Sequence, residues 1–367
     1  MRRVRSVVLS ASLALVLLAT ACTADHPATA PSAGGSAPAP SSSGSGGPSV
    51  SRSVAPSTSS TSSAVPSTSA KPAPEPDPIS MAALIQKKYD GRDLELGRKL
   101  ADFGSYTRYV VSYRGDGLRI SGVMNVPDGQ GPFPVLVLNH GYINPATYFP
   151  GQGMPREEDY LARQGYVVLH TDYRNHAGSD RDQDVDYELR LPYTVDTINA
   201  VKAVKASKLK FLDTTKVGWL GRSMGGEVTL RALAVQPGLV DAAVVYASTS
   251  SLAADNWRQF YRGDGARRTV NRRIERSYRL PRDNPDFWRA ASARPFFDRV
   301  TEPVLVHHGT ADDTCPIGWS RSTVAALEKE GVDVTLRTYR GQGHTFEGRS
   351  WQTSIERTAA FFDRLLG

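Results

Sequence analysis

A serine between two glycines is the clearest chemical signal in this sequence of 367 residues. Residues 221–225 read G-x-S-x-G, with Ser223 at the centre. A short apolar run, 217–220, precedes the motif, and a helical pattern that starts near Val228 follows it. A strand, a sharp turn and a helix in this order expose a serine hydroxyl at the edge of a sheet. The motif therefore predicts a nucleophile at Ser223, and the alternative is a serine that only caps the helix.

A serine hydroxyl is a weak nucleophile at neutral pH, so it needs a base and a carboxylate that orients the base. His344 follows a predicted strand at 334–339, and the pair Asp312 and Asp313 follows a predicted strand at 304–308. The ends of parallel strands meet at one edge of a sheet, so these side chains are expected near Ser223. We predict His344 as the base and one aspartate of the pair as the orienting group. The pattern alone does not separate the two aspartates.

An acyl-transfer site also needs N–H donors for the oxygen that becomes negatively charged. The residue after the nucleophile, Met224, is one candidate for a backbone donor. The loop after the predicted strand 134–139 contains Gly141, which allows a tight turn, and Tyr142, whose N–H is the second candidate. His140 is predicted to be a structural hydrogen-bonding residue at the strand end.

Short apolar strands alternate with helical patterns over residues 79–367. The predicted strands are 106–113, 118–126, 134–139, 166–172, 217–220, 242–247, 304–308 and 334–339. Helices are predicted near 157–164, 193–205, 228–235, 320–331 and 351–366, with further helical character at 79–100. This alternation predicts an α/β fold with a mostly parallel, twisted sheet of about eight strands and helices on both faces.

The first 78 residues lack the pattern of a folded domain. Three arginines within residues 1–5 precede an apolar run at 7–18, and small residues then lead to Cys22. This arrangement is typical of a secretory signal. The cysteine after small residues resembles a bacterial lipobox, which implies a lipoprotein signal peptide over residues 1–21 and lipid on Cys22. Simple signal-peptide cleavage nearby is the alternative.

Residues 22–78 are almost entirely Ser, Ala, Pro, Gly and Thr. Such a segment buries too little apolar surface to fold, so a disordered tether is predicted. We therefore expect an exported protein that is lipid-anchored to the outer face of the bacterial cell membrane, or secreted. The second of the two cysteines, Cys315, then has no disulfide partner, and two cysteines are too few for a cysteine-based metal site. No metal, cofactor or nucleic-acid partner is expected.

Residues of about 250–300 interrupt the alternation without any strand character. This segment has twelve arginines against six acidic residues, and aromatic residues lie among them. One interpretation is a helical lid that favours anionic substrates or an anionic surface. The other is a solvated helical insertion whose aromatic side chains pack on the sheet.

Three motifs in this order resemble the α/β-hydrolase superfamily: G-x-S-x-G-G at 221–226, H-G-T-A-D-D at 308–313 and G-x-G-H at 341–344. Over about residues 106–367 the sequence is similar to the catalytic domain of the prolyl oligopeptidase family. The resemblance implies an α/β-hydrolase fold and a serine hydrolase.

The same resemblance implies a role for each matching position. Ser223 is the nucleophile, Asp312 the orienting carboxylate and His344 the base. Tyr142 and Met224 contribute to the oxyanion hole.

Oligopeptidases of this family carry a β-propeller before the catalytic domain, and residues 79 to about 104 are too few to form one. No acidic pair for gripping a peptide N-terminus is recognisable either. We therefore expect cleavage of small-molecule esters or small amides through an acyl-enzyme. Peptide cleavage of the prolyl oligopeptidase type is the first alternative, and a non-catalytic lipoprotein that binds the cell envelope is the second.

Overall fold

The computed structural model describes residues 75–367. The predicted signal peptide, Cys22 and all but the end of the predicted tether lie outside the described residues. No helix within 75–367 is long and apolar enough to span a membrane.

A single nine-stranded sheet forms the centre of the described chain, in the order β1-β2-β3-β5-β4-β6-β7-β8-β9. The strands are β1 (Arg92–Asp102), β2 (Tyr106–Gly115), β3 (Leu118–Pro127), β4 (Phe133–Asn139), β5 (Val167–Thr171), β6 (Leu212–Arg222), β7 (Ala242–Tyr246), β8 (Val304–Gly309) and β9 (Val334–Tyr339). Strands β4 to β9 are parallel to one another, and β1 to β3 are joined to β5 by antiparallel pairing. The predicted mostly parallel sheet is confirmed.

The helices connect the parallel strands and flank the sheet. They are α1 (Met81–Gln86), α2 (Pro155–Arg163), α3 (Pro192–Lys205), α4 (Met224–Val235), α5 (Ala253–Asn256), α6 (Arg268–Tyr278), α7 (Pro285–Ala290), α8 (Ile317–Lys329) and α9 (Gly348–Leu366). Three of them begin with proline, whose fixed φ and missing N–H suit the first helical position.

The central strands are buried on both faces. In β4, Val135 and Val137 belong to one apolar cluster, whereas Leu136 and Leu138 belong to another on the opposite face. Helices α3 and α4 contribute to the first cluster, and α2 and α9 to the second. The alternation of side chains along a strand sends successive residues to opposite faces, so a strand covered on both sides is apolar throughout. The predicted helices on both faces are confirmed.

Strand β1 corrects the prediction of helical structure up to residue 100. Leu94 and Leu96 are two residues apart, which places both on one face of a strand. Leu96 pairs with Val111 of β2, and this pairing supplies backbone hydrogen bonds that a helix would have made internally. The next helical positions after Leu94 are Gly97 and Arg98, which offer no apolar stripe. The sheet consequently has nine strands rather than about eight.

The segment between β7 and β8 contains α5, a π-helical turn at Trp257–Tyr261, α6 and α7. Trp257 and Trp288 are almost fully buried, and their ring centroids lie 5.4 Å apart. This aromatic packing attaches the segment to the main apolar cluster. The arginines of α6 are largely exposed on the outer surface.

Candidate active site

Ser223 lies at the sharp turn between β6 and α4. Its backbone has φ 56° and ψ −121°, a conformation that is strained for a residue with a side chain. The turn requires very close backbone approaches on either side. A Cβ atom on Gly221 would lie 2.2 Å from the Gly225 oxygen, and one on Gly225 would lie 1.9 Å from the Asn139 oxygen. The two glycines of the motif are therefore required by packing.

Replacing Gly225 with alanine is expected to lower the free energy of unfolding by about 3 kcal/mol or more, because the new methyl group meets backbone oxygens that cannot rotate away. Urea denaturation followed by circular dichroism measures this effect. Gly318→Ala is the matched control, since a Cβ atom there meets open space in α8. The control is expected to change stability by less than about 1 kcal/mol. Similar losses in both variants would contradict the close approach.

His344 connects Ser223 to an aspartate. Its Nε2 lies 3.0 Å from Ser223 Oγ, and its Nδ1 lies 2.9 Å from Asp312 Oδ2. The His344 side chain is 21% exposed, whereas that of Asp312 is fully buried. The structure thus brings together all three residues of the predicted triad, each from a loop at the carboxyl end of a parallel strand. The arrangement has the geometry of a nucleophile, a base and an orienting carboxylate.

Asp312 is held by more contacts than the sequence suggested. Its Oδ1 accepts hydrogen bonds from the backbone N–H groups of Thr314 and Cys315, at 3.0 and 2.8 Å. A second histidine, His308, places its Nε2 3.2 Å from Asp312 Oδ2. Burial acts to raise the pKa of Asp312, but the hydrogen bonds from His308, His344 and the Cys315 N–H outweigh it and hold that pKa well below its usual range.

The neighbouring aspartate is placed differently. Asp313 is exposed, and its Oδ1 accepts a hydrogen bond from Thr314 Oγ1 at 3.3 Å. It is Asp312, then, whose carboxylate meets His344. His308 was not singled out from the sequence. The available signal was its position near the end of strand β8, four residues before Asp312.

The predicted oxyanion residues border Ser223. Met224 is the first residue of α4, and Tyr142 lies in the loop that follows β4. A Cβ atom on Gly141 would lie only 3.1 Å from Ser223 Cβ, so this loop runs directly against the nucleophile. Both Tyr142 and Met224 line one cavity together with Ser223.

A buried polar network supports the loop that carries Tyr142. His140 is fully buried. Its Nδ1 lies 2.6 Å from the backbone oxygen of Gly141, and its Nε2 lies 3.3 Å from the backbone oxygen of Asp172. The carboxylate of Asp172 accepts hydrogen bonds from Tyr148 Oη and Ser121 Oγ, at 2.7 and 2.6 Å. Burial lowers the pKa of His140 well below its usual value, so its ring is neutral at pH 7. His140 therefore acts as a structural hydrogen-bonding residue.

Two cavities meet at Ser223 and His344. One of about 330 Å³ has a largely aromatic wall, to which the segment between β7 and β8 contributes Trp257, Phe260 and Tyr261. The other, of about 400 Å³, is bordered by the loop after β4 and the start of α2. Tyr142 lines both cavities. A substrate bound across Ser223 can thus extend in two directions.

The first cavity also contains charged residues that sequence reasoning missed. Arg190, Glu227 and Arg231 line its wall, and all three are buried. They come from the segment before α3 and from α4, where no motif marks them. Within residues 75–367 no cluster of three or more His, Cys, Asp or Glu side chains is arranged to hold a metal ion.

Known proteins with similar sequences are peptidases or members of peptidase families. Residues 154–367 match the model of the prolyl oligopeptidase family, peptidase family S9. A dipeptidyl peptidase family member 6 from Caenorhabditis elegans is 25% identical over 250 residues, which is 63% of this chain and 32% of that protein. The chain spans about a third of the length of the curated relatives it matches.

Solved structures share the fold. An acetyl xylan esterase from Paenibacillus sp. R4 superimposes with a TM-score of 0.60 at 20% identity, covering 78% of this chain and 92% of the esterase. The acylaminoacyl peptidase of Pyrococcus horikoshii superimposes with a TM-score of 0.55 at 20% identity, covering 76% of this chain and 42% of the peptidase. The sheet order, the turn at Ser223 and these superpositions together identify the α/β-hydrolase fold. Because the family match covers more than half of the sequence, the chain belongs to the prolyl oligopeptidase family of serine hydrolases.

Proposed function

We propose that the protein is a serine hydrolase that cleaves ester or small amide bonds through an acyl-enzyme. The observation that carries this proposal is the unbroken line of contacts from Ser223 Oγ through His344 to Asp312, at 3.0 and 2.9 Å. In a neutral imidazole, Nδ1–H donates to Asp312 and Nε2 accepts the hydroxyl proton of Ser223.

In the proposed reaction, Ser223 Oγ attacks the substrate carbonyl carbon while its proton moves to His344 Nε2. The backbone N–H groups of Met224 and Tyr142 hold the resulting oxyanion. His344 then gives the proton to the leaving alcohol or amine, and the acyl group remains on Ser223. A water molecule then gives a proton to His344 and attacks the acyl-enzyme, and the acid leaves as His344 returns that proton to Ser223 Oγ.

The charges around Ser223 favour an ester over a peptide with a free amino terminus. Such a peptide carries an ammonium group, which needs an available carboxylate. Among residues 75–367, three carboxylates line the two cavities. Glu227 and Glu157 are buried and each is paired with an arginine, whereas Glu347 is 74% exposed at the rim. None forms a buried acidic pair that is open to a ligand.

The peptidase alternative is supported by the family match and by the dipeptidyl peptidase among the relatives. Comparison of p-nitrophenyl acyl esters with aminoacyl p-nitroanilides separates the two. We expect kcat/KM for the best ester to exceed that for the best anilide by more than roughly tenfold after subtraction of the Ser223→Ala background. Strong anilide turnover with weak ester turnover would instead establish the peptidase.

Export belongs to the same proposal. A signal peptide over residues 1–21 and lipid on Cys22 would place the hydrolase at the outer face of the cell membrane, with residues 22–78 as a tether. Metabolic labelling with an alkynyl fatty acid, compared between the natural chain and Cys22→Ser, tests the lipid. Equal labelling of both chains would leave secretion after ordinary cleavage as the alternative.

A further inference from the structure

The aromatic cavity of about 330 Å³ beside Ser223 has several unsatisfied hydrogen-bond donors in its wall. Arg190 Nη2, Arg231 Nε and Trp257 Nε1 are buried and have no partner within residues 75–367. All three atoms are donors. Buried polar atoms are nearly always paired, so a group of unpaired donors around one cavity indicates a ligand that supplies acceptors.

The one carboxylate among the residues that line this cavity, Glu227, already has a partner on each of its oxygens. One oxygen of Glu227 is paired with Arg231, and the other accepts a hydrogen bond from Thr249 Oγ1 at 3.1 Å. Glu227 thus neutralises Arg231, and within residues 75–367 it forms no ion pair with Arg190. Among the described residues, Arg190 has a single carboxylate partner, Asp186, at 2.9 Å from its Nε. Asp186 is 40% exposed and also lies 3.6 Å from Arg267, so it compensates the buried charge of Arg190 only in part.

The backbone holds Arg190 in a strained position. Leu189 and Arg190 have φ values of 52° and 59°, two successive residues in the left-handed region. Such strain costs free energy and persists where the surrounding structure fixes it, most often at functional sites. Here it directs an arginine into the wall of the cavity that contains the nucleophile.

Two aromatic rings pack against the guanidinium of Arg190. It lies 4.3 Å from the ring centroid of Tyr142 and 4.9 Å from that of Tyr261. Arg267, from the segment between β7 and β8, lies 4.6 Å from the same Tyr142 ring. Arg267 lines the cavity, whereas Arg268, Arg272 and Arg273 are exposed. Three arginines therefore line this cavity, and Arg231 is the one that is paired with Glu227, which leaves Arg190 and Arg267 as the other two positive charges.

We infer that this cavity binds a carboxylate-bearing part of the substrate, with Arg190 as the residue that recognises it. A carboxylate offers the acceptor oxygens that the wall lacks, and it completes the partial neutralisation of Arg190. The aromatic wall surrounds the carbon atoms that join the carboxylate to the reacting carbonyl. The inference rests on the proposed function, since it names the class of ester that Ser223 cleaves.

The carboxylate can belong to the acyl group or to the leaving group, and two matched pairs of substrates distinguish them. The first pair is the umbelliferyl monoesters of adipic acid and of its monoamide. The second pair is the butyrate esters of para-hydroxyphenylacetic acid and of its amide. We expect kcat/KM for the anionic member of one pair to exceed that for its amide by roughly 10- to 100-fold, as a charged hydrogen bond in a buried site provides.

Arg190→Gln removes the charge and is expected to bring that ratio close to one, mainly because kcat/KM for the anionic substrate falls. Arg272→Gln is the matched control: it removes the same charge from an exposed position of α6 and is expected to preserve the ratio. If Arg190→Gln does not fold, competitive inhibition of the natural enzyme by adipate, and not by adipamide, supports the inference independently.

Two results would overturn the inference and leave the proposed function intact. In the first, the enzyme hydrolyses both amide substrates and prefers neither anionic partner. In the second, the ratio is the same in Arg190→Gln and in the natural enzyme. If the protein hydrolyses none of the four esters and also forms no covalent adduct with a fluorophosphonate, a probe that reacts with nucleophilic serines, both the inference and the proposed function are overturned.

Discussion

Replacing Ser223 with alanine is expected to lower kcat for ester hydrolysis by roughly 10⁴- to 10⁶-fold, the range found when a triad serine is removed. The hydroxyl that His344 contacts at 3.0 Å is the atom that forms the acyl bond, and alanine removes only that atom. Steady-state hydrolysis of a p-nitrophenyl ester by the purified full-length chain measures the loss.

Ser277→Ala is the matched control, because Ser277 is exposed on α6 and outside both cavities. We expect its activity to match that of the natural protein. Urea denaturation of Ser223→Ala should show a folded protein, since the substituted residue retains its Cβ atom at the turn. A residual kcat within tenfold of the natural value would mean that another group is the nucleophile.

The second large effect is expected at Asp312. Asp312→Asn should lower kcat by about 10⁴-fold, because the amide no longer selects the tautomer of His344 in which Nε2 accepts the serine proton. Asp313→Asn is the natural matched control, as the adjacent carboxylate is exposed and does not contact His344. We expect it to leave kcat within about threefold of the natural value. Equal losses in the two variants would contradict the assignment.

The lowered pKa of Asp312 predicts the direction in which the free energy of unfolding changes with pH. A carboxyl whose pKa is lower in the folded than in the unfolded state contributes stability above the unfolded pKa of about 3.9. This contribution is lost as the pH falls through the lower folded pKa. The difference in free energy of unfolding between the natural protein and Asp312→Asn should therefore be largest near neutral pH and shrink in acid. A difference that grows in acid would contradict the hydrogen-bonded carboxylate.

Local patterns were sufficient for much of this structure. The eight strands predicted from short apolar runs are present, and the loops carrying Ser223, Asp312 and His344 meet at one edge because parallel strands end there. Strand β1 was missed because its leucines were read as part of a longer helical pattern. The two-residue spacing of Leu94 and Leu96 is that of a strand, and only the pairing with β2 shows that this spacing, and not the helical one, applies here.

The packing of side chains accounts for what the sequence did not reveal. His308 approaches Asp312 through the turn after β8, a contact that depends on side-chain direction. Arg190 and Tyr142 are 48 residues apart, and they meet only when the loop after β4 lies against the segment before α3. The arginine-rich segment had two interpretations, a lid that favours anions and an insertion whose aromatic side chains pack on the sheet. Its packing agrees with the second, and anion binding stays a prediction. Its tryptophans are buried, whereas Arg267 reaches the cavity wall.

The most direct test of the account is covalent labelling of the full-length protein by a fluorophosphonate probe, with the modified residue located by peptide mass spectrometry. We predict one adduct, on Ser223, that is absent from Ser223→Ala and forms far more slowly in Asp312→Asn than in Asp313→Asn. The absence of an adduct on the folded natural protein would contradict the account and favour a non-catalytic lipoprotein that binds the cell envelope. An adduct on a different residue would contradict the assignment of Ser223 as the nucleophile.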